Sequence, residues 1–369
     1  MPFEMKQITL TSRRAKSLVG LEIEAGSVAA AEIRSGGSGQ LSKSAIAPLP
    51  SGAVHDGEIV DPDAVASVLR DVFAENKLSK QVRLGIANQS VVVRTMRLPA
   101  IDDPKELDVA VRFQAQEQIP MPLDQAVLDH RVVGGIPATE DSGPMIDVIL
   151  VAARRDMIDA SMQLLRKAGL QPAGIDLSAF GLIRALGSSA LPAGEDEGEE
   201  SSVDASAILY CNIGETTNLA VAKRRSCLFT RVAPAGLGAI EGNLVAATGM
   251  APEHAAPWLH HVGLSQLPEQ IDGDPPTILA TRSALETGVA DLQSELRLSL
   301  DFYAAGEGSA PIDHVVLSGP ASAIPGFAEA IEAGFSSLPF EVSRPAALAS
   351  LDPASAARLT LSYGLALDS

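Results

Sequence analysis

The sequence is poor in aromatic residues and in positive charge, and both shortages exclude classes of function. Phe, Tyr and Trp make up 4% of the 369 residues, too few for a surface on which bases or sugars would stack. Lys and Arg number 28 against 46 Asp and Glu, which gives a net charge of −18. The cations are scattered in ones and twos, so we exclude nucleic acid and anionic lipid as main partners.

Cysteine and long hydrophobic runs are also scarce. The two cysteines, Cys211 and Cys227, lie in strand-like segments without a neighbouring histidine, which predicts buried thiols rather than a disulfide or a zinc site. The longest apolar run, residues 145–153, contains Asp147 and is far shorter than the roughly 20 residues of a membrane-spanning helix.

An export signal is not expected either. Arg13 and Arg14 precede an apolar stretch, but Glu22 and Glu24 interrupt the uncharged segment that a signal needs. We therefore expect a cytoplasmic protein. Its length predicts about two domains, and 46% apolar residues with few aromatics indicate aliphatic cores typical of packed α/β layers.

Local patterns predict alternating strands and helices. Asp61-Pro62 and Asp103-Pro104 each place a capping carboxylate before a proline, which is a helix start signal. Strands are predicted at 18–23, 28–33, 81–87, 90–98, 126–133, 145–153, 207–213, 218–223 and 312–317, and further helices at 155–167, 287–305 and 324–335.

The opening of the chain is repeated after residue 205. Asn212-Ile213-Gly214 and the strand that follows restate Glu22-Ile23-Glu24 and its following strand, with an offset of 190 residues. This repetition predicts a diverged duplication. The acidic, Gly- and Ser-rich stretch around 194–202 has nothing to bury and is predicted to link the two halves.

Each half therefore has a strand–turn–strand hairpin with small or hydroxyl residues in the turn. Tight turns of this kind present backbone N–H groups to anions, and an acidic residue at the strand end can hold hydrated Mg²⁺. A third element, a strand followed by Gly319, allows the backbone to approach a nucleoside closely. Together the three elements favour a nucleotide site between the halves.

Motifs along nearly the whole chain carry a family resemblance. They are Val19-Gly20-Leu21-Glu22-Ile23, Leu49-Pro50-Ser51-Gly52-Ala53, Asp56-Gly57-Glu58-Ile59-Val60-Asp61, Val92-Val93-Arg94-Thr95-Met96-Arg97-Leu98-Pro99, Glu117-Gln118-Ile119-Pro120-Met121-Pro122-Leu123-Asp124, Val151-Ala152-Ala153-Arg154-Arg155, Ala168-Gly169-Leu170-Gln171-Pro172, Gly214-Glu215-Thr216-Thr217, Glu295-Leu296-Arg297-Leu298-Ser299-Leu300-Asp301-Phe302-Tyr303 and Leu317-Ser318-Gly319. In this order the chain resembles the actin-like ATPase superfamily and, within it, the PilM family of type IV pilus assembly proteins, related to FtsA.

The resemblance implies a fold and a division into subdomains. The fold is a duplicated actin-like (ribonuclease H-like) α/β fold with an inserted 1C subdomain and a 2B subdomain. The implied parts are a flexible tail (1–16), subdomain 1A (17–80, 154–190 and 345–369), 1C (81–153), an acidic linker (191–204), 2A (205–236 and 306–344) and 2B (237–305).

The resemblance also implies partners. In this family a groove between 1A and 1C holds the cytoplasmic N-terminal tail of the inner-membrane protein PilN, which points to residues 81–133 here. The contacts implied are Leu107, Val111, Gln114 and Gln118. The role that follows is a pilus assembly adaptor held at the inner face of the membrane through its partner, without inserting in lipid, and linked to pilus motor ATPases.

The resemblance also implies a nucleotide site, but this sequence departs from the family pattern at several of its positions. The residues at the family's nucleotide positions are Glu22, Gly26, Ser27, Asn212, Gly214, Thr216, Thr217, Glu295, Arg297, Ser299 and Gly319. Glu24 places a carboxylate where the family brings bare backbone to phosphate, Asn212 replaces an aspartate, and Pro320 removes a backbone donor. We expect Mg·ATP binding to be weakened or absent, and we predict neither a catalytic residue nor a resident metal.

Other functions remain as alternatives. An active nucleotide-gated ATPase or a small-molecule kinase on the same fold would need intact phosphate loops and a general base. An FtsA-like filament tether would need an amphipathic C-terminal helix, and a cytoplasmic GspL-like secretion component would carry a membrane span. His260-His261 has no ligand partner at metal-binding spacing and is predicted to be a surface pair.

Overall fold

A computed structural model describes residues 17–34, 39–138, 143–187, 206–223, 226–306 and 309–367. The predicted tail (1–16) and the predicted linker (191–204) lie outside these ranges. The strands are β1 (Ser17–Ile23), β2 (Ser27–Arg34), β3 (Leu41–Pro48), β4 (Val54–His55), β5 (Glu58–Ile59), β6 (Gln81–Ile86), β7 (Val92–Pro99), β8 (Ala126–Ile136), β9 (Met145–Arg154), β10 (Gln171–Leu177), β11 (Ala207–Ile213), β12 (Thr217–Lys223), β13 (Ser226–Ala233), β14 (Ile312–Ser318) and β15 (Phe340–Val342).

The helices alternate with these strands as the local start signals predict. They are α1 (Pro62–Glu75), α2 (Pro104–Gln118), α3 (Arg155–Lys167), α4 (Ser178–Leu186), α5 (Leu237–Thr248), α6 (Ala255–Val262), α7 (Pro275–Ala304), α8 (Phe327–Glu332) and α9 (Pro353–Ala366). Asp61 and Asp103 cap α1 and α2 by accepting hydrogen bonds from backbone N–H groups of the first turn. These two predicted helix starts are confirmed.

Two five-stranded sheets have the same order. The first runs β3-β2-β1-β6-β10 and the second β13-β12-β11-β14-β15. In each sheet three antiparallel strands continue into two parallel ones. Glu22 pairs with Ala29 at the end of the first hairpin, and Asn212 pairs with Asn218 at the end of the second. The predicted duplication is confirmed by this shared topology.

Helices α4 and α9 are packed between the two sheets. Their core includes Ala31 of the first sheet, Leu182 of α4, Ala220 of the second sheet and Leu359 of α9, all at most 2% exposed. Glycines permit this close approach, since a Cβ on Gly364 of α9 would lie 1.8 Å from a backbone oxygen of α4. The buried α9 therefore contacts both halves and can carry a side chain into the space between the hairpins.

A third sheet, β7-β9-β8, is covered by α2. Its separate core contains Met96 and Leu150 from the sheet and Ala115 from the helix. Strand β7 lies at the edge of this sheet. Residues 92–154 thus form a small α/β unit with its own core, whereas β6 (Gln81–Ile86), which the resemblance assigned to the 1C subdomain (81–153), belongs to the first sheet.

Two predicted helices have different bounds in the structure. The helix predicted at 287–305 begins twelve residues earlier, at Pro275, where Asp274 accepts a hydrogen bond from Thr277 N. The helix predicted at 324–335 is only Phe327–Glu332, because Gly326 has φ +77° and a 3₁₀ turn occupies 320–323. Cys211 and Cys227 are free and buried, as predicted. Within the described ranges, no helix has the length and hydropathy that crossing a bilayer requires.

Candidate functional site

The first hairpin turn is held by its own backbone. Glu24 N donates to Ser27 O at 3.0 Å, which closes the turn between β1 and β2, and Leu49 N donates to Gly26 O. Glu22 is the penultimate residue of β1 and is 4% exposed. The backbone N–H of Glu24 is therefore already engaged within the turn.

The guanidinium of Arg358, on α9, fills the space beside this turn. Its Nη1 donates to Glu22 Oε2 at 2.5 Å, its Nε to Ser27 Oγ at 2.9 Å and its Nη2 to Ser27 O at 3.0 Å. Nη2 also lies 3.5 Å from Glu24 Oε2. A buried arginine thus binds the two side chains, Glu22 and Ser27, that the resemblance assigns to nucleotide.

Glu22 is perturbed by this environment. Burial is the largest influence and raises the pKa of Glu22 to about 8, and the nearby Glu24 adds to the rise, while Arg358 acts in the opposite direction. The two carboxyl groups therefore share one buried cation, and a proton is held more tightly here than by an exposed glutamate.

The second hairpin turn is also committed to internal contacts. Gly214 N donates to Thr216 O at 3.1 Å, and Thr217 Oγ1 donates to Ala235 O at 2.6 Å. Asn212, which replaces the family's aspartate, donates from Nδ2 to Ser318 Oγ at 3.0 Å. The family resemblance pointed to Asn212, Gly214 and Thr217, but it gave no indication of the groups to which they hydrogen-bond.

Two glutamates occupy the space that two glycines leave open. A Cβ on Gly214 would lie 2.5 Å from Glu24 Oε1, and a Cβ on Gly238 would lie 2.2 Å from Glu215 Oε1. Neither glycine has a positive φ. Their small size, rather than their backbone freedom, is what the structure uses.

Carboxylates dominate the cleft between the halves. Glu241 of α5 lies near Glu215 and Glu24, and burial, followed by these two charges, raises its pKa to about 7. Burial and then Glu24 also raise the pKa of Glu215, although His55 acts in the opposite direction. The cleft is therefore negatively charged and gains protons near neutral pH.

Two cavities lie on either side of these side chains. One has a volume of about 250 Å³ and includes His55 and Asn218 in its lining, and the other has about 710 Å³ and includes Glu241 and Arg358. The linings share Glu24, Ala25, Glu215 and Gly238. The two glutamates therefore lie where the two cavities adjoin.

The third predicted nucleotide element is occupied by packing. Gly319 has φ +87°, and a Cβ there would lie 2.7 Å from the backbone of Ile213, at the end of β11. Pro320 then begins a 3₁₀ turn. The glycine permits contact between neighbouring strand ends, and Pro320 lines the larger cavity.

The structure does not bring the predicted α7 residues to the cleft. Glu295 Oε2 accepts from Arg231 Nη2 at 2.8 Å, Ser299 Oγ accepts from Arg231 Nη1 at 3.1 Å, and Arg297 donates to Gly334 O. The three residues are not part of the lining of either cavity. The resemblance had assigned these three residues to the nucleotide site together with the hairpin turns. In the structure their side chains instead contact Arg231 of β13 and the backbone of Gly334.

The charged side chains that line the cleft are mostly carboxylates. Glu24, Glu215 and Glu241 present negative charge, and its one lining arginine, among the residues that the structure describes, is bound to Glu22 and Ser27. No cluster of three or more His, Cys, Asp or Glu suited to a metal occurs in the described ranges. His260-His261 is partly exposed, and His261 Nε2 contacts Asp272 O.

The predicted partner residues on α2 divide into two groups. Leu107 and Val111 are 9% and 1% exposed and belong to the core beneath the third sheet, so their side chains offer no surface to a partner in this conformation. Gln114 and Gln118 are half-buried. The apolar side chains that α2 does expose are Val109 and Phe113, each 67% exposed.

An apolar groove of about 550 Å³ lies beside the third sheet. We call it the edge groove. From the first half it is lined by residues 86–89, 91–94, Pro120, Leu177 and Ala179, and from the second half by Asn218, 229–232, Pro234, Leu298 and Phe302. Leu298 and Phe302 are 54% and 62% exposed, and the Phe229 and Phe302 rings are 5.9 Å apart.

Two edge strands line the edge groove. Strand β7 ends the third sheet and β13 ends the second, and each contributes residues to the lining. Sequence reasoning pointed to residues 81–133 for the partner and gave no indication that β13 and α7 complete this groove, because no local signal relates residues more than a hundred positions apart.

Comparison with known proteins identifies the fold and the family. The family model for type IV pilus assembly protein PilM matches residues 20–367. A solved PilM-PilN type IV pilus biogenesis complex is similar to this chain at 22% identity, with a TM-score of 0.76 over 96% of this chain and 98% of that one.

Two further solved structures share the fold at lower similarity. The ethanolamine utilization protein EutJ from Carboxydothermus hydrogenoformans is 14% identical, with a TM-score of 0.53 over 95% of this chain and 89% of that one. MreB5 of Spiroplasma citri, bound to AMPPNP, is 12% identical, with a TM-score of 0.50 over 95% and 94%. The predicted duplicated actin-like α/β fold is confirmed.

Proposed function

The chain belongs to the PilM family of type IV pilus assembly proteins, and from this membership we propose that it is an adaptor that binds the cytoplasmic N-terminal tail of a PilN-like inner-membrane protein. The observation that carries the proposal is the family match over residues 20–367. The similar solved structure is of a PilM-PilN complex. The adaptor would lie in the cytoplasm, held at the inner face of the membrane by this partner, and would connect it with the pilus motor ATPases.

The edge groove is the place that we propose for the tail. An extended peptide pairs its main chain with the free N–H and C=O groups of an edge strand and places alternate side chains in apolar pockets. Strands β7 and β13 supply edges, and Phe229, Leu298 and Phe302 supply apolar surface. Gln114 and Gln118 of α2, half-buried, remain proposed contacts for a tail that leaves the groove toward α2.

Peptide titration tests this function. A synthetic N-terminal peptide of a PilN-like protein is titrated into the protein and should bind with at least micromolar affinity. Phe302→Asp should weaken binding at least tenfold, because it places a charge in the groove. Leu279→Asp is the matched control, since Leu279 lies on the same helix, is 58% exposed and does not line the groove.

Absence of binding by the wild-type chain would contradict the adaptor function. Equal weakening by the two α7 variants would instead contradict the edge groove as the binding place. Both substituted side chains are largely exposed, so neither variant should lose its fold.

The adaptor function needs no bond making, and we propose that the nucleotide site is degenerate. Glu22, Ser27, Asn212 and Thr217 are each engaged by internal hydrogen bonds, and the surrounding carboxylates repel phosphate. If Mg·ATP nevertheless bound in the micromolar range, a nucleotide-gated ATPase or a kinase on this fold would become the better interpretation.

A further inference from the structure

The Glu24 carboxylate lies between the two hairpin turns. It belongs to the first turn, yet its Oε1 lies against Gly214 of the second, at a place where even a methyl group would come within 2.5 Å. Its other oxygen, Oε2, is 3.5 Å from Arg358 Nη2. An anionic group, held by a cation, thus lies in the narrow space where the two turns meet.

The neighbouring groups show why this position is costly without Arg358. Glu22 of β1, Glu215 of the second turn and Glu241 of α5 all act electrostatically with Glu24. His55 and Asp56, of the β4–β5 hairpin, act on Glu215. Among the residues that the structure describes, Arg358 is the cation that contacts both Glu22 and Glu24, so it allows a carboxylate to remain at this place.

The cavities support the same interpretation. Glu24 and Glu215 line both cavities of the cleft, so a ligand that extended from one to the other would lie against both carboxylates. Glu215 in turn occupies the space above Gly238, at the start of α5. Each half therefore contributes a glutamate that packs against a glycine, and both side chains lie where the two cavities adjoin.

We propose that the Glu24 side chain is an internal occupant of the cleft: held by Arg358 and seated on Gly214, it takes the place of a ligand's anionic group and keeps polyphosphates out. The inference deepens the degenerate site of the proposed function and rests on it. It differs from simple charge repulsion, because it assigns the exclusion to the volume of the side chain as well as to its charge.

Substitution of Glu24 separates occupation from repulsion. Glu24→Ser removes the side chain and leaves Arg358 Nη2 directed toward the vacated space, whereas Glu24→Gln keeps the volume and removes the charge. Glu253→Gln is the matched control, because Glu253 is exposed and lines the larger cavity at a different place. Each protein is titrated calorimetrically with Mg·ATP and with magnesium pyrophosphate.

The proposal gives a distinct result for each variant. The wild type, Glu24→Gln and Glu253→Gln should show no saturable binding up to about 1 mM, and Glu24→Ser should bind at least one probe at least tenfold more tightly than that limit. Saturable binding by the wild type overturns the proposal, as does a folded Glu24→Ser that binds neither probe. Binding by Glu24→Gln as tight as that by Glu24→Ser also overturns it, because repulsion alone would then be sufficient.

Folding and partner binding are followed separately. Circular dichroism verifies that each variant is folded, and if Glu24→Ser is not, Glu24→Ala replaces it and the near-isosteric Glu24→Gln still tests the proposal against repulsion. Peptide affinity at the edge groove should stay within twofold of the wild type in every variant, since Glu24 does not line that groove. If the wild type does not bind the peptide, the adaptor function is contradicted, but the proposal for Glu24 is not.

Discussion

At the scale of single residues, Arg358 is the central side chain of the cleft. Its side chain is 9% exposed and that of Glu22 is 5% exposed. Removal of one partner of a buried pair leaves the other without compensation, at a cost of about 3–5 kcal/mol. We therefore expect Arg358→Met to lower the free energy of unfolding by about that amount in urea denaturation at pH 9, above the pKa of Glu22.

The control for Arg358 is an exposed arginine with two acidic partners. Arg154 contacts Glu58 and Asp156, and its side chain is 44% exposed. Exposed pairs contribute about 1 kcal/mol or less, so Arg154→Met should have a small effect. Equal destabilisation by the two substitutions would show that Arg358 acts no differently from a surface cation.

The raised pKa of Glu241 predicts a dependence of stability on pH. Its pKa is about 7 in the fold, against an ordinary value of 4.5, so between these values the folded state holds a proton that the unfolded state has lost. The contribution of Glu241 to the free energy of unfolding should therefore be largest at and below pH 4.5. It should decrease as the pH rises to about 7.

Glu241→Gln removes this titration. At pH 8 the variant should be more stable than the wild type by on the order of 1–3 kcal/mol, because the unfavourable charge is absent. Urea denaturation at pH 5 and pH 8 measures the difference, with Glu253→Gln as the exposed control. If the wild type and Glu241→Gln lose the same stability between the two pH values, Glu241 is not the group that titrates.

At the scale of elements, the close packing of α5 against α7 depends on a glycine, Gly288. A Cβ on Gly288 of α7 would lie 2.3 Å from Ile240 Cγ1 of α5, whereas a Cβ on Gly242 of α5 would meet no atom within 4 Å. Gly288→Ala should therefore overpack the interface and cost about 1–3 kcal/mol. Gly242→Ala should stabilise the helix by about 0.5–1 kcal/mol.

Thermal unfolding of the two alanine variants checks this expectation. Their melting temperatures should shift in opposite directions, although the substitution is the same and both positions are helical. If both melting temperatures decrease, the space beside Gly242 cannot accommodate a methyl group in solution.

Elements were also what the sequence predicted best. Asp-Pro signals marked α1 and α2, because a capping side chain and its helix are neighbours in the chain. The same signal precedes α7 at Asp274-Pro275, twelve residues before the start at 287 that the apolar pattern predicts. The repeated hairpin revealed the duplication because both copies keep the strand–turn–strand pattern.

The site was harder to predict because its contacts are distant in sequence. Ser27 and its partner Arg358 are 331 positions apart, and no local pattern marks a buried arginine on the last helix. The resemblance placed Leu107 and Val111 at a partner surface, but the apolar period of α2 that makes them prominent is also the period that packs a helix on a sheet.

At the scale of the whole molecule, the cleft and the edge groove are neighbouring spaces formed by both halves, and Ala87, Asn218 and Pro234 line both the groove and the smaller cavity of the cleft. Glu24 and Glu215 lie in the cleft, whereas the edge groove combines residues of β7 with residues of β13 and α7. A peptide in the groove would contact both halves at once. It would therefore join them without any nucleotide between the hairpin turns.

This arrangement predicts how a bound peptide changes the dynamics. Hydrogen exchange of backbone amides should slow in β7 and in β13 together when the PilN-like peptide saturates the protein, because both edges lose access to water. In Phe302→Asp at the same peptide concentration both strands should exchange as in the free protein, and in Leu279→Asp both should remain protected. Protection of β7 alone would mean that the peptide pairs with one half only, so that binding would not couple the two halves.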